Sequence, residues 1–407
     1  VLRTQLKVAC RLYNTLFHLE EEEYKKNKHS MSRNELRQLA LVLRKRNTEF
    51  QALHSQVAQQ VADRFYWARQ RFFEGLANKP KEKKPHMYLS LVYPQGGWKL
   101  SNIREVGQGE NTEKKKARLY LSKIGFFTVV IHRDFPLEGV SQVCVKLNPS
   151  GRIFVVFLVE GEVEAPYEEK RAGEPMEVVG LDVGITRLVT LSDGRFLDNA
   201  KPLERSLGRI RLLQRSLSRK RKLSKNWFKA KLKLAEEYEY VKDFRRDLFF
   251  KLGALLARDY VILVLEDLNV VGLIQRGETR KRRMRLYDSA FSELRRILGW
   301  QFQRHGKTVL AVPSYNSSRE CFQCGEVNHS LALEDRVFHC PFCGFTLDRD
   351  LNASLVLSKR ACRVGATRLV CLVGELRPIP PLPSLGLAAR RRRGGAMIQE
   401  ASPFRAG

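Results

Sequence analysis

No apolar run approaches the ~20 residues that a membrane span requires. The longest, Ile153–Val159 and Tyr260–Leu265, are strand-sized. Lys7 and Arg11 interrupt the N-terminal apolar stretch, so it lacks the core of a secretory leader. Cysteine is sparse, eight in 407 residues, which excludes a disulfide scaffold. No internal repeat is visible, which excludes a stack of like units. Acid is in deficit: 44 Asp and Glu stand against 73 Lys and Arg, a net charge of +29. Such an excess opposes compaction unless a polyanion neutralises it. With no span and no leader, the expected polyanion is nucleic acid and the expected setting is the cytosol. Apolar residues make up 43%, too many for a disordered chain, and the length predicts two to four domains.

Residues 1–80 read as helical. Leu2, Leu6, Ala9, Tyr13 and Leu16 recur at spacings of three and four, and Leu53, Val57, Val61, Phe65, Ala68 and Phe72 do the same on a second helix. From 87 to 165 the period changes. Runs at Arg118–Leu121, Phe126–His132, Val140–Leu147 and Gly151–Glu160 predict a small antiparallel β-domain, with a turn at Asn148–Gly151 and a loop over Ser101–Lys116. The third region, 176–360, reads as α/β. Glu177–Leu191 alternates and ends in a hairpin turn, Ser192-Asp193-Gly194, with Arg195–Leu197 returning. A basic helical stretch follows from about Lys201 to Arg258. The uniformly apolar Tyr260–Leu265 has the pattern of a strand buried on both faces. A helix at about Ser289–His305 leads to a strand at Thr308–Val312. The last ~25 residues read as disordered by composition.

Four cysteines are paired by spacing. Cys321-x-x-Cys324 and Cys340-x-x-Cys343 are two knuckles separated by fifteen residues, and each is followed by glycine, Gly325 or Gly344. Two such turns supply the tetrahedral thiolate set that structural zinc prefers. His339 is an alternative ligand beside Cys340, and Phe322, Phe338 and Phe342 are expected to pack around the metal. Cys10, Cys144, Cys362 and Cys371 read as buried free thiols.

Three acids stand where a carboxylate is costly. Asp182 lies within an apolar strand between Gly180 and Gly184, Glu266 ends the buried run, and Asp350 opens a helix after the second knuckle. Brought together they repel each other and invite divalent cations. Two Mg²⁺ ions about 4 Å apart can activate water and stabilise the leaving oxygen of a phosphodiester. Each acid also has a plainer reading: Asp182 as a turn residue, Glu266 as a surface acid, Asp350 as a helix cap. Asp267 is expected to point to the other face.

Between Lys201 and Leu234 there are thirteen Lys or Arg and one acid, Glu204. The run centres on Arg219, Lys220, Arg221 and Lys222, with Arg215 and Lys225 beside it and Trp227 and Phe228 interleaved. A second run includes Arg282 and Arg283. Either is a solvated face or a phosphate contact, and two runs flanking an acidic site favour phosphate.

In order, GLDVG, the basic stretch, VLEDLNV, SYNSSRECFQCG and HCPFCGFTLDRDLNAS resemble the transposon-encoded TnpB proteins, relatives of the compact type V CRISPR effectors. Leu121–Arg133 is similar to the family's β-domain and Leu53–Leu76 to its second helix, so the likeness covers about residues 1–370. The resemblance implies an RNase H-like, RuvC-type nuclease domain of α/β class with an inserted zinc ribbon. It also implies an N-terminal helical recognition domain and a small antiparallel β-barrel, or wedge, domain. The boundaries expected are 1–86 helical, 87–170 wedge, 171–315 nuclease completed by 345–362, 316–344 ribbon, and 363–407 a largely disordered tail. The family's nuclease acids fall on Asp182, Glu266 and Asp350, with Mg²⁺. Its zinc thiolates fall on Cys321, Cys324, Cys340 and Cys343. The implied activity is RNA-guided cutting of double-stranded DNA with a guide RNA from the transposon end. No obligatory protein partner is implied, and the setting is a prokaryotic cytoplasm and nucleoid. Three departures stand out. The chain starts at Val1, after the expected first wedge strand. The lysine common near Trp300-Gln301 is absent. The segment after Cys362 matches poorly. The alternatives are a non-cutting regulator of the same fold, a strand-joining transposase, and a zinc-ribbon binding module without chemistry.

Overall fold

A computed structural model describes residues 1–106, 114–131, 135–160, 176–332, 334–364, 369–371 and 376–380. The chain divides into two compact units, with the boundary between Gly161 and Glu162.

The first unit opens with three helices: α1 (Leu2–Asn27), α2 (Arg33–Arg46) and α3 (Ser55–Phe73). The apolar stripe of α1 is buried throughout, as are Val57, Val61 and Phe65 of α3, while Phe72 at its end is exposed. The sequence pattern passed over α2, whose start is a capping box of Ser32 and Glu35. Arg37 and Arg33 of α2 grip the buried Asp63 of α3, at 2.6 and 2.9 Å. Two three-stranded antiparallel sheets follow. One has the order β1 (Ser90–Pro94), β5 (Val140–Leu147), β6 (Ile153–Val159); the other has β2 (Trp98–Val106), β3 (Lys114–Leu121), β4 (Gly125–Ile131). Helices and sheets share one core, which includes Leu6, Tyr13, Phe65, Leu91, Leu119 and Val143. The expected loop over Ser101–Lys116 is corrected, because Ser101–Val106 and Lys114–Lys116 belong to β2 and β3. On the solvent-exposed face of that sheet β2 presents Lys99, Ser101 and Arg104, and these polar residues hide its strand period. Residues 107–113 lie outside the described residues.

The second unit is built on a seven-stranded sheet. Its strands are β7 (Met176–Val183), β8 (Arg187–Leu191), β9 (Arg195–Asp198), β10 (Ile262–Asp267), β11 (Thr308–Pro313), β14 (Leu369–Cys371) and β15 (Arg377–Pro378). They lie in the order β11-β10-β7-β8-β9-β15, with β14 also paired to β7. The short strands β12 (Val337–His339) and β13 (Thr346–Asp348) form a separate antiparallel pair. The run Glu177–Leu191 is therefore two strands, turning at Gly184, where a Cβ would meet the Arg187 carbonyl at 2.7 Å. The basic stretch is also divided, into α4 (Pro202–Ser218) and α5 (Lys225–Asp259). After β10 come α6 (Val270–Gln275), α7 (Arg280–Ser289) and α8 (Phe291–Arg304); α9 (Arg349–Val364) follows β13. Alternation splits the sheet residues between two cores. Val179, Leu181, Leu263 and Leu265 pack with α5 and α8, whereas Val178, Ile262 and Val264 pack with Leu357 and Ala361 of α9.

The C-terminal part adds two short strands and corrects one expectation. Leu369–Cys371 and Arg377–Pro378, within the expected tail, pair in parallel with β7 and β9; residues 381–407 lie outside the described residues. Cys10 and Cys144 are free thiols, but Cys362 is disulfide-bonded.

Candidate functional site

Strand register sets two of the acids side by side. β7 and β10 run parallel with Leu181 opposite Leu265, so Asp182 and Glu266 are the next residues at the carboxyl ends of neighbouring strands. By alternation both share the face of Val178 and Val264, under α9. Asp350 arrives on the first turn of α9. Gly180 makes that approach possible: a Cβ there would stand 2.0 Å from the Ser354 carbonyl oxygen.

The cluster is electrostatically expensive. Asp182 is buried, and burial pushes its carboxyl well above the usual carboxylate range, with the charges of Glu266 and Asp350 adding to the push. Glu266 is raised by burial too, against the hydrogen bond from Ser317 and the charge of Arg360. Ser317 donates to Glu266 Oε1 at 2.6 Å. Asp182 therefore sits in a strand interior, not a turn. The cap position weighed for Asp350 belongs to Asp348, which accepts from the backbone N–H groups of Asp350 and Leu351, both at 3.1 Å. Asp348 also pairs with Arg187 at 2.9 Å, and Asp350 has Arg349 at 3.6 Å. Asp267 faces away, exposed and 2.9 Å from Arg295. Carboxylate oxygens are the donor type that divalent cations take, and the charges of these acids act on one another, but among the described residues their oxygens are not gathered as closely as the thiols described next.

The cysteine knuckles also come together. Their four Sγ atoms all lie within 4.8 Å of one another, and among the described residues they are the one group of ligand atoms gathered that closely. Cys321 and Cys343 are 3.7 Å apart, Cys324 and Cys340 3.6 Å. Sulfurs about 2.3 Å from one zinc in a tetrahedron are about 3.8 Å apart, so the spacing fits that metal. Each knuckle closes with an amide from its glycine, Gly325 to Cys321 and Gly344 to Cys340, both glycines having positive φ. At Cys340 burial opposes ionisation, but amides of Cys343 and Phe342 and the neighbouring thiols outweigh it and bring the thiol down to about 7. His339 is hydrogen-bonded to Thr346 instead of joining the cluster. Phe338 packs there as expected, with Leu331 and Phe345. Phe342 does not: it is exposed.

Three residues that the motifs did not single out tie ribbon to acids. Asn352 accepts from the Phe322 amide and donates to the Glu320 carbonyl; Lys359 donates to the Phe322 carbonyl; Arg360 reaches Glu320 and the carbonyls of Pro313 and Tyr315. Asn352 was the most findable, a polar residue on a fully buried face of an apolar helix. Ser317 carries no local signal.

The basic residues form a helical hairpin. Arg219, Lys220, Arg221 and Lys222 lie not on a helix but in the turn between α4 and α5, where Leu223 has φ of +67°. Arg209–Glu237 at 2.9 Å and Gln214–Tyr238 at 3.0 Å zip the two helices. Arg215, Arg219, Arg221, Lys222 and Lys225 are exposed and Lys220 is half-buried. The second run is partly engaged in the fold. Arg283 donates to the Gly277 carbonyl, Arg285 clamps Glu204, and Asp288 caps α4 at Leu203 and Glu204; Arg282 is half-buried.

Residues 144–277 match the family OrfB_IS605, described as a probable transposase, and residues 291–357 match the Cas12f1-like TNB domain. The chain is 27% identical over 344 residues to "Putative RNA-guided DNA endonuclease InsQ" of Escherichia coli K12, covering 81% of this chain and 80% of that protein. It is 35% identical over 215 residues to a "Putative RNA-guided DNA endonuclease" of Streptomyces pristinaespiralis, covering 53% and 51%. In fold it is similar to a chain of the Cas12f1–sgRNA–target DNA complex, with a TM-score of 0.55 at 16% identity over 88% of this chain and 81% of that one. By these matches and its motifs the chain is similar to the probable transposases of the OrfB_IS605 family and to proteins named putative RNA-guided DNA endonucleases.

Proposed function

We propose that this chain is a metal-dependent, RNA-guided DNA endonuclease. The observation that carries the reading is that Asp182, Glu266 and Asp350, from three separate elements, act on one another, with burial and the charges of the other two holding the Asp182 carboxyl above its ordinary range. Ser317, Arg349 and Arg360 offset part of the cost, yet the Asp182 carboxyl stays raised, a cost to the fold that a bound cation would relieve. Asp182, Glu266 and Asp350 would hold two magnesium ions, which when bound would supply an activated water and stabilisation of the departing 3′ oxygen. Ser317 fixes the orientation of Glu266, and Arg349 and Arg360 add positive charge beside a phosphate-binding surface. The hairpin turn Arg219–Lys222 supplies backbone contacts that are blind to sequence, so specificity falls to base pairing with a guide RNA.

The cysteine cluster is read as a closed structural zinc site, since four protein ligands leave no place for a water. We place the domain limits at 1–86, 87–170, 171–315 with 345–362, and 316–344, and the working location in the cytoplasm and nucleoid. Among the described residues no helix is long and apolar enough to cross a membrane.

The test is to sequence RNA that co-purifies with the chain and to offer Mg²⁺ with plasmids matched or mismatched to it. One discrete RNA species and cutting of only the matched plasmid are expected. Random cellular RNA with no matched cutting would leave a non-cutting nucleic-acid binder.

A further inference from the structure

The outward face of the β2–β3–β4 sheet is built unlike an ordinary solvent face. Cross-strand partners share a face, and here the outward rows are Lys99–Tyr120–Phe126, Ser101–Arg118–Thr128 and Arg104–Lys116–Val130. The inward rows, among them Leu100–Leu119–Phe127, enter the core. Outward, Phe126 is 60% exposed and Tyr120 38%. Their ring centroids are 5.0 Å apart, and the Arg118 guanidinium lies 4.0 Å from the Phe126 centroid. Lys99, Arg104, Lys116 and Arg118 are all exposed on these rows, and the rows contain no carboxylate.

Each part has a cost unless something covers it. Phenylalanine and valine in water forgo burial, and four cations on one small sheet repel one another. A second copy of the same face would bring four more cations against these four. A polyanion with flat apolar rings relieves both costs: bases stack on the aromatics and phosphates meet the cations. A duplex hides its base faces in its own stack, so the rings select unpaired strands. Flanking Arg118, the hydroxyls of Ser101 and Thr128 can meet a ribose 2′-OH, which only RNA carries.

We propose that this sheet face is a binding platform for unpaired RNA, with bases stacked on Tyr120 and Phe126 and phosphates held by Lys99, Arg104, Lys116 and Arg118. It rests on RNA being a partner of the chain and not on the cutting chemistry.

The test uses the full chain, stripped of nucleic acid by high salt, and an unpaired RNA of about 20 nucleotides carrying photoreactive 5-iodouracil. Crosslinks are expected at Tyr120 or Phe126. The double variant Tyr120→Ala/Phe126→Ala should weaken this RNA roughly five- to hundredfold without changing the salt slope. Tyr120→Phe should bind as wild type. Lys116→Ala/Arg118→Ala should flatten the salt slope. DNA of the same sequence should bind more weakly, and duplex RNA should be indifferent to the aromatic variants.

Wild-type affinity in the double-alanine variant, at an unchanged melting temperature, would overturn the proposal. So would crosslinks confined to other residues, which also decide the matter if the variants fail to fold. Equal binding of DNA and RNA would overturn the assignment to RNA. Self-association abolished by the same variants would give the face to a second copy. If the wild-type chain binds no RNA at all, the guide-RNA reading fails with the platform; if RNA binding depends on Arg219–Lys222 but not on this face, only the platform fails.

Discussion

Gly180→Ala tests how the site is assembled. Gly180 is not in the left-handed region, so alanine carries no intrinsic backbone strain there; the obstacle is α9. The new Cβ would lie 2.0 Å from Ser354 O and 2.8 Å from Ser358 N, where real Cβ atoms come no closer than 3.0 Å. Helix backbone cannot rotate aside as a side chain can, so α9 and β7 must separate by at least 1 Å. Overpacking of this kind costs about 1–3 kcal/mol, and a backbone obstacle belongs at the upper end. At roughly 2–4 °C per kcal/mol for a unit of this size, the melting temperature should fall by about 6–12 °C at 3 kcal/mol. The same shift moves Asp350 relative to Asp182, and about 1 Å of misplacement costs on the order of 10²-fold in rate. Gly208→Ala is the matched control. Gly208 lies inside α4 with nothing within 4 Å of its would-be Cβ, so alanine there should stabilise by about 0.5–1 kcal/mol. Thermal unfolding followed by circular dichroism reads both, and plasmid cleavage reads the second effect. A Gly180→Ala protein that melts and cuts like wild type would refute the close seating of α9 on β7.

Asp63 gives a pH prediction. Burial pushes its carboxyl up, but the hydrogen bonds and charges of Arg37 and Arg33 outweigh this and hold it below its ordinary 3.8. A depressed folded value means stability present above 3.8 and lost as pH falls through the folded value. Asp63→Asn should therefore cost about 2 kcal/mol at pH 7, a gap that closes in acid titration; a gap independent of pH would count against the pairing. The purified chain should hold about one zinc, and Cys324→Ser or a strong chelator should unfold the ribbon and lower soluble yield; metal analysis finding no zinc in unchelated protein would remove the assignment. Replacing Arg219, Lys220, Arg221 and Lys222 by alanine should flatten the log–log salt dependence of nucleic-acid binding by up to about 0.9 for each duplex phosphate that they neutralise; an unchanged slope would make the turn a solvated surface.

The parts of this chain that were legible in sequence are those whose physics is local. Tyr260–Leu265 announces a doubly buried strand because every residue is apolar, and the knuckles announce themselves because a thiolate pair needs a fixed turn. Parallel register with β7, which puts Glu266 beside Asp182, is not local and had to come from the fold. The strand β2 was hidden because its outward residues, Lys99, Ser101 and Arg104, are polar and a left-handed Asn102 shifts its register. The turn at Arg219–Lys222 has the sequence of a helix because lysine and arginine are good helix formers, and only Leu223 and the Ser224 cap break the run. Ser317, Arg360 and Asn352 act across 30–51 residues of sequence, so no spacing rule reports them.

The central claim is that Asp182, Glu266 and Asp350 form the cutting site, and the most direct measurement is Mg²⁺-dependent cleavage of a guide-matched plasmid by single alanine variants. On the proposed reading each of Asp182→Ala, Glu266→Ala and Asp350→Ala should abolish cutting, because each would remove a metal ligand and not a support of the fold, while RNA and target binding persist. Asp267→Ala, on the opposite face, should cut much as wild type does. Asp348→Ala is no neutral control, since it removes the cap of α9 and the partner of Arg187, and should lose stability as well as rate. An Asp182→Ala protein that cuts at the wild-type rate would contradict the account.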